Sequence, residues 1–194
     1  ANGGQIASLL FEAYCSDEEF KNSPEAQAIR NNVMKDGWLG VFNRNIWTPK
    51  SVKNPGVYVQ HDAQAKGRTE TPTIEELEEI LTGGTTERNV RFSKDGHTAF
   101  APYSSIQSGA HDKGTLTKNG FILASYGVEG AAKLDSVAKT FARRPYVWTV
   151  NNIGADNVLS LSLLDGNWNG DYRLDRYSVV RGKGDGDAVG VGGR

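Results

Sequence analysis

The chain has 194 residues, 38% hydrophobic and 23% charged, with a formal net charge of −1. A chain of this length can bury roughly 70% of its unfolded surface without a metal or disulfide, and Cys15, its one cysteine, excludes an intrachain disulfide. The balanced charge lacks the basic footprint of a nucleic-acid partner, and no apolar run approaches the ~20 residues of a membrane span, so neither nucleic-acid binding nor membrane insertion is expected.

The opening stretch, ANGGQIASLLFEAY, has neither the basic start nor the long apolar run of a signal peptide. Within it, Gln5–Tyr14 predicts a short helix with Ile6, Leu9, Leu10 and Ala13 on one face. Ser16 followed by Glu19 has capping-box spacing. Ser23-Pro24-Glu25 marks a further helix start: a cap, a proline at the first position and an acid in the first turn. That helix should turn Ala26, Ala28, Ile29 and Val33 inward and stop near Gly37. Trp38–Trp47 is apolar and aromatic enough for a strand. Asn54-Pro55-Gly56 forms a turn before a short strand at Val57–Val59.

Ala63–Thr71 reads as loop. Thr73 and Glu76 make a second capping box, opening a helix over Ile74–Leu81 that Gly83-Gly84 ends. Arg88–Ser93 and Thr98–Tyr103 flank an Asp-Gly turn and predict a hairpin. Ser104–Lys113 is loop. Thr115–Lys118 and Phe121–Tyr126 flank Asn119-Gly120, a strong hairpin signal. Gly127–Arg143 then shows Val128, Ala131, Leu134, Val137, Ala138 and Phe141 at helical spacing, with Pro145 after it. Tyr146–Val150 and Val158–Leu164 predict strands. Helices and short strands out of βαβ order give an α+β class with a mainly antiparallel sheet. No linker divides it, so one domain over 1–194 is expected.

Few residues suggest chemistry. His61, His97 and His111 stand far apart and form no metal-ligand spacing; His61-Asp62 and His111-Asp112 read as exposed turn pairs. There is no nucleophile elbow, phosphate loop or HExxH. Cys15 reads as a buried inert thiol rather than a nucleophile. Glu75, Glu76, Glu78 and Glu79 read as a solvated helix face whose acids favour the helix dipole. Asp165, Asp171, Asp175, Asp185 and Asp187 could offer oxygens to calcium, but the spacing of an EF-hand is missing.

The end of the chain differs from the rest. From Asp165 onward there is no Glu, Gln, Met, Thr, Ile, Phe, Cys or Pro. Tyr and Arg there are the residue types that most often carry interface energy, and Gly, Ser and Asn the adaptable filler of combining sites. Between Trp168, Leu174, Ala188, Val189 and Val191, positions such as Asp165, Gly166, Asn167, Asn169, Asp175 and Tyr177 all have codons reachable from an Asn codon by changing its first two bases. This pattern resembles the variable region of proteins diversified by retroelements, of viral or archaeal type, in which template adenines are randomised. Arg144-Pro145-Tyr146-Val147-Trp148 and Val158–Leu164 suit the strands that precede such a region, and the segment from Ala188 to Val191 suits its closing strand. Lys183 and Gly192-Gly193 depart from the pattern.

The resemblance implies a C-type-lectin-like fold, short antiparallel strands with flanking helices, and a variable region over 158–194. It implies a non-enzymatic protein that displays interchangeable side chains on a rigid scaffold, without a cofactor or metal. The ligand-facing side chains would be Asp165, Asn167, Asn169, Asp171, Tyr172 and Asp175. Tyr177, Ser178, Val179, Val180 and Asp185 would complete the surface, with Tyr177 the strongest anchor. Trp168 and Leu174 would be core posts, and Arg173, Arg176 and Arg181 would orient loops or contact ligand. The implied partner is a protein or glycan on a target cell, and the protein's own location is open between a virion tail and a cell surface. An alternative is a calcium-dependent sugar-binding lectin, since Trp168-Asn169-Gly170-Asp171 is similar to part of such a site, although the Glu-Pro-Asn partner motif is missing. An oxidase of the formylglycine-generating type needs paired cysteines, which Cys15 alone does not supply.

Overall fold

A computed structural model describes residues 1–35, 37–61, 71–151, 153–166, 173–180 and 191–193. For Asn32, Val33, Val179, Val180 and Val191 the description is of the backbone. Helix α1 (Gly3–Cys15) starts at a capping box in which Asn2 and Gln5 exchange side-chain and backbone bonds of 3.0 Å each. It buries Ile6, Ala7, Leu10 and Ala13, whereas Leu9, expected on the same face, is 42% exposed. A stripe stepping by three and four from Ile6 passes Leu9 by one residue once Leu10 takes the contact. Short helix α2 (Glu18–Lys21) is capped by Asp17, one residue beyond the expected Ser16. Helix α3 (Pro24–Ala28) begins at the Ser23 cap with Pro24 as expected, then widens into a π-helical turn over Ile29–Val33. Ala26 is buried and Ile29 packs against the core, but Ala28 is exposed.

Strand β1 (Gly37–Trp47) is the long central strand, and β2 (Gly56–His61) pairs antiparallel with its second half. Helix α4 (Ile74–Leu81) has the Thr73–Glu76 capping box that its sequence predicts. Strand β3 (Thr85–Glu87), unanticipated, leads through a tight turn to β4 (Val90–Phe92), which forms the expected hairpin with β5 (Thr98–Pro102). Two-residue strand β6 (Gly109–Ala110) lies within the stretch read as loop.

Asn119-Gly120 makes no hairpin. A 3-10 turn over Leu116–Lys118 leads into helix α5 (Gly120–Thr140), and Asn119 is its cap, Oδ1 accepting from the Phe121 N–H at 2.9 Å. Phe121 to Tyr126 are all buried, so this turn of helix carries no polar face and its sequence shows no helical period. Gly127 breaks the helix with φ 72° and ψ 173°, a conformation essentially restricted to glycine; the periodic segment recognised in the sequence is the part after this break.

Strands β7 (Tyr146–Val147), β8 (Val158–Asp165), β9 (Asp175–Val180) and β10 (Val191–Gly193) complete the described elements. The sheet order is β3-β4-β5-β2-β1-β8-β9-β7-β6, with β10 added to the first half of β1. Its described pairs are antiparallel except β7 with β9, so the α+β class with a mainly antiparallel sheet is what the chain adopts.

Helices α1 and α5 pack on the inner face of the sheet, around Leu10, Val41, Trp47, Val59, Phe121 and Leu134. Helix α4 packs on the outer face, where Ile46, Tyr58 and Phe100 meet Leu77 and Leu81. That second cluster covers the β1–β2–β5 end. The β8–β9–β7 end of the outer face carries the candidate site.

Candidate functional site

In β8 and β9 the cross-strand register places Leu163 opposite Tyr177 and Ser162 opposite Ser178. Alternation sends Ser162, Ser178 and Arg176 toward α5, and Leu163 and Tyr177 to the outer face. Next to them, β7 is in register so that Tyr146 lies beside Asp175 and Val147 beside Arg176. The outer face therefore gathers three aromatic rings. Trp148 and Tyr177 stack with centroids 5.9 Å apart and planes 6° from parallel, and Tyr146 tilts against Trp148 at 4.3 Å. All three are half-buried, as are Leu161 and Leu163 on the neighbouring strand.

A buried acid holds this group from below. Asp175 is fully buried. Its carboxylate accepts from Trp148 Nε1 at 3.1 Å, and Arg173 Nε lies 3.0 Å from each of its oxygens. The Arg173 guanidinium also lies 4.8 Å over the Tyr146 ring. Burial pushes the Asp175 carboxyl up from its ordinary value, the Arg173 and Trp148 bonds pull it back, and the nearby Asp165 charge adds to the rise. Two aromatic side chains are thus fixed by one ion pair, so their orientation is set within the fold itself.

On the inner side of the same strand, Arg176 is 2% exposed and has no carboxylate partner among the described residues. Its guanidinium lies 3.3 Å over the Phe121 ring and donates to the hydroxyls of Ser178 at 2.7 Å, Ser162 at 2.6 Å and Ser125 at 3.2 Å. Burial lowers its pKa to about 9, and the adjacent Tyr126 hydroxyl partly opposes this. The polar layer continues through Asn45 Nδ2, which reaches Ser162 Oγ at 3.0 Å, and Trp47 Nε1, which donates to Ser160 Oγ at 2.9 Å.

These placements correct several expected ligand contacts. Asp165 is 2% exposed and Asp175 fully buried, so neither faces a ligand; both lie beneath the aromatic group as paired strand neighbours. Ser178 points inward to Arg176. Arg176 is an internal strut rather than a contact residue. Gly166 has no room for a side chain, since an added Cβ would meet the Met34 carbonyl oxygen at 2.7 Å. Leu174 is a core post as expected, 2% exposed. Tyr177 lies on the outer face, and Val179 and Val180 follow it in β9. Asn167, Trp168, Asn169, Asp171, Tyr172, Arg181 and Asp185 lie outside the described residues.

Tyr146 and Trp148 join the candidate site, although the sequence puts them only in a strand that precedes it. The signal was their Tyr-Val-Trp alternation, which puts two aromatics on one face of a strand. Elsewhere, His111 is buried at 5% exposure rather than a surface turn residue. Its ring nitrogen lies 3.1 Å from both the Gln107 carbonyl and Asn119 Nδ2, and burial lowers its pKa. Glu78 departs from the solvated acidic face: it takes both Arg91 nitrogens, at 2.6 and 2.8 Å, and the Tyr58 hydroxyl. The Cys15 thiol is half-buried, and burial raises its pKa. Among the described residues no group of three His, Cys, Asp or Glu side chains could hold a metal ion, and no helix is long and apolar enough to cross a membrane.

No known protein family matches the chain, and no curated protein matches it. A solved structure, described as showing "accommodation of massive sequence variation in Nanoarchaeota by the C-type lectin fold", is similar at 12% identity and a TM-score of 0.47, over 91% of this chain and 86% of that one.

Proposed function

We propose that this chain is a non-enzymatic ligand-binding protein of C-type-lectin type, related to retroelement-diversified variable proteins. Its outer face at β7, β8 and β9 contacts a protein or glycan on a target cell. The observation that carries the reading is the Tyr146–Trp148–Tyr177 group, held by the buried Asp175–Arg173 pair. Rigid aromatic anchors on a fixed sheet supply contact area at low entropic cost. The tail composition from Asp165 onward supports diversification around such anchors. The interchangeable positions include Tyr177, whereas Asp165, Gly166, Asp175 and Ser178 are committed to the interior.

The test is a display library randomised at Tyr177 and at the tail positions Asn167, Asn169, Asp171, Tyr172 and Asp185, selected on panels of cell-surface proteins and glycans. Clones with distinct partners and melting temperatures near that of the parent support the reading. Loss of folding across most clones overturns it. Adding calcium or a chelator leaves binding unchanged if the retroelement-type reading is right, and switches binding on and off if the protein is a calcium-type lectin.

A further inference from the structure

Away from the aromatic face, a cleft of about 760 Å³ opens between the β3–β4 turn, the 3-10 turn at Leu116–Lys118 and the start of β7. Its size is that of a small-molecule site. Among the described residues its walls hold three cations, Arg88, Lys118 and Arg144, against one acid, Asp112, a local excess of two positive charges. The guanidiniums are already placed: Arg88 donates to the Thr117 carbonyl at 2.9 Å, and Arg144 pairs with Asp112 at 3.0 Å. Each guanidinium has five N–H groups and commits one of them in these bonds. Arg88 and its neighbour Asn89 are also held at φ 48° and 68°. They are the two central residues of the β3–β4 hairpin, whose two-residue turn calls for positive φ at both positions. At the base, the buried His111 and Asn119 side chains meet each other and the Gln107 carbonyl. Apart from Ile106 and Ala110, the wall is polar.

The geometry points to a binding site for a phosphorylated sugar or polyol. A phosphate monoester carries close to two negative charges at neutral pH, matching the local excess, and the planar fork of a guanidinium suits its oxygens better than a point cation does. Ser105, Gln107, Thr115 and Asn89 offer neutral partners for hydroxyl groups. A nucleoside would need an apolar or aromatic wall for its base, which Ile106 and Ala110 do not make.

Titration calorimetry with glucose 6-phosphate tests this, with glucose, inorganic phosphate and adenosine monophosphate as comparisons. Glucose 6-phosphate should bind at least about tenfold more tightly than glucose or phosphate. Arg88→Gln and Lys118→Gln should each weaken it about tenfold while the melting temperature stays near that of the parent. Arg144→Gln provides an independent check should one of these variants lose stability. Binding no tighter than that of inorganic phosphate, or unaffected by all three substitutions, overturns the proposal. Tighter binding of the nucleotide overturns the assignment to a sugar phosphate.

Discussion

Asp175 and Arg176 are adjacent on β9, face opposite sides of the sheet, and are both buried. Asp175 has a cation and an indole to satisfy it; Arg176 has three hydroxyls and an aromatic face. Removing one member of a buried ion pair costs roughly 3–5 kcal/mol, so Asp175→Ala should lose about that much in urea unfolding and change the near-ultraviolet circular dichroism of Trp148. Because the folded-state pKa of Asp175 lies above its ordinary value, its contribution to stability is greatest below the unfolded pKa and is lost as pH rises through the folded one. The stability of the native protein relative to Asp175→Asn should therefore increase on acidification; a constant difference would show that Asp175 is not strained by burial. At Arg176, Met keeps most of the side-chain volume over Phe121 without burying a charge. Arg176→Met should be milder than Arg176→Ala by more than about 1 kcal/mol, again measured by denaturant unfolding.

Single elements show how much of the chain can be read locally. The Thr73–Glu76 capping box places α4 to the residue, because a cap is a contact within four residues and needs no partner from elsewhere. Thr73→Ala should cost about 1 kcal/mol. Asn119-Gly120 is the opposite case. Asn-Gly suits a hairpin turn, yet Asn is also a strong helix cap. Which of the two forms is decided by the burial of Phe121–Tyr126 between α1 and the sheet. Gly127 lets α5 change direction after that buried turn. Gly127→Ala should cost about 1–3 kcal/mol in unfolding free energy although an added Cβ meets nothing within 4 Å; a neutral result would show that the break can relax.

Across the whole molecule, α4 is tied to the β2–β4 region by Glu78, which the Arg91 bonds foremost hold down at about 2 against a usual 4.5. A depressed carboxylate contributes stability above its unfolded pKa and loses it as pH falls toward the folded one. Acid unfolding should therefore weaken the molecule between about pH 4.5 and 2, and Glu78→Gln should remove about 1 kcal/mol at neutral pH, a figure reduced for partial exposure. Since Glu78 and Asp175 act with opposite signs, the two single variants should tilt the pH–stability curve in opposite directions. The outer face divides between these groups: α4 covers one end, with Glu78 at its edge, and the aromatic group on Asp175 lies at the other.

The amino-acid sequence by itself determined the class, the capped helices, the long strand β1 and the compositional break at Asp165, because caps, turns and periodicity are contacts between near neighbours. What it did not contain was direction. Along Leu159-Ser160-Leu161-Ser162-Leu163 the alternation would send leucines inward, yet the serines face the core, because Trp47, Asn45 and Arg176 need their hydroxyls there. A one-residue change of facing exchanges every side chain of a strand. For the same reason Ser178 became an internal support and Tyr146 and Trp148 lie on the outer face with Tyr177, while Asp175 shares that face and is buried there under Trp148 and Arg173. Only strands brought together from distant parts of the chain decide which face of each is inside.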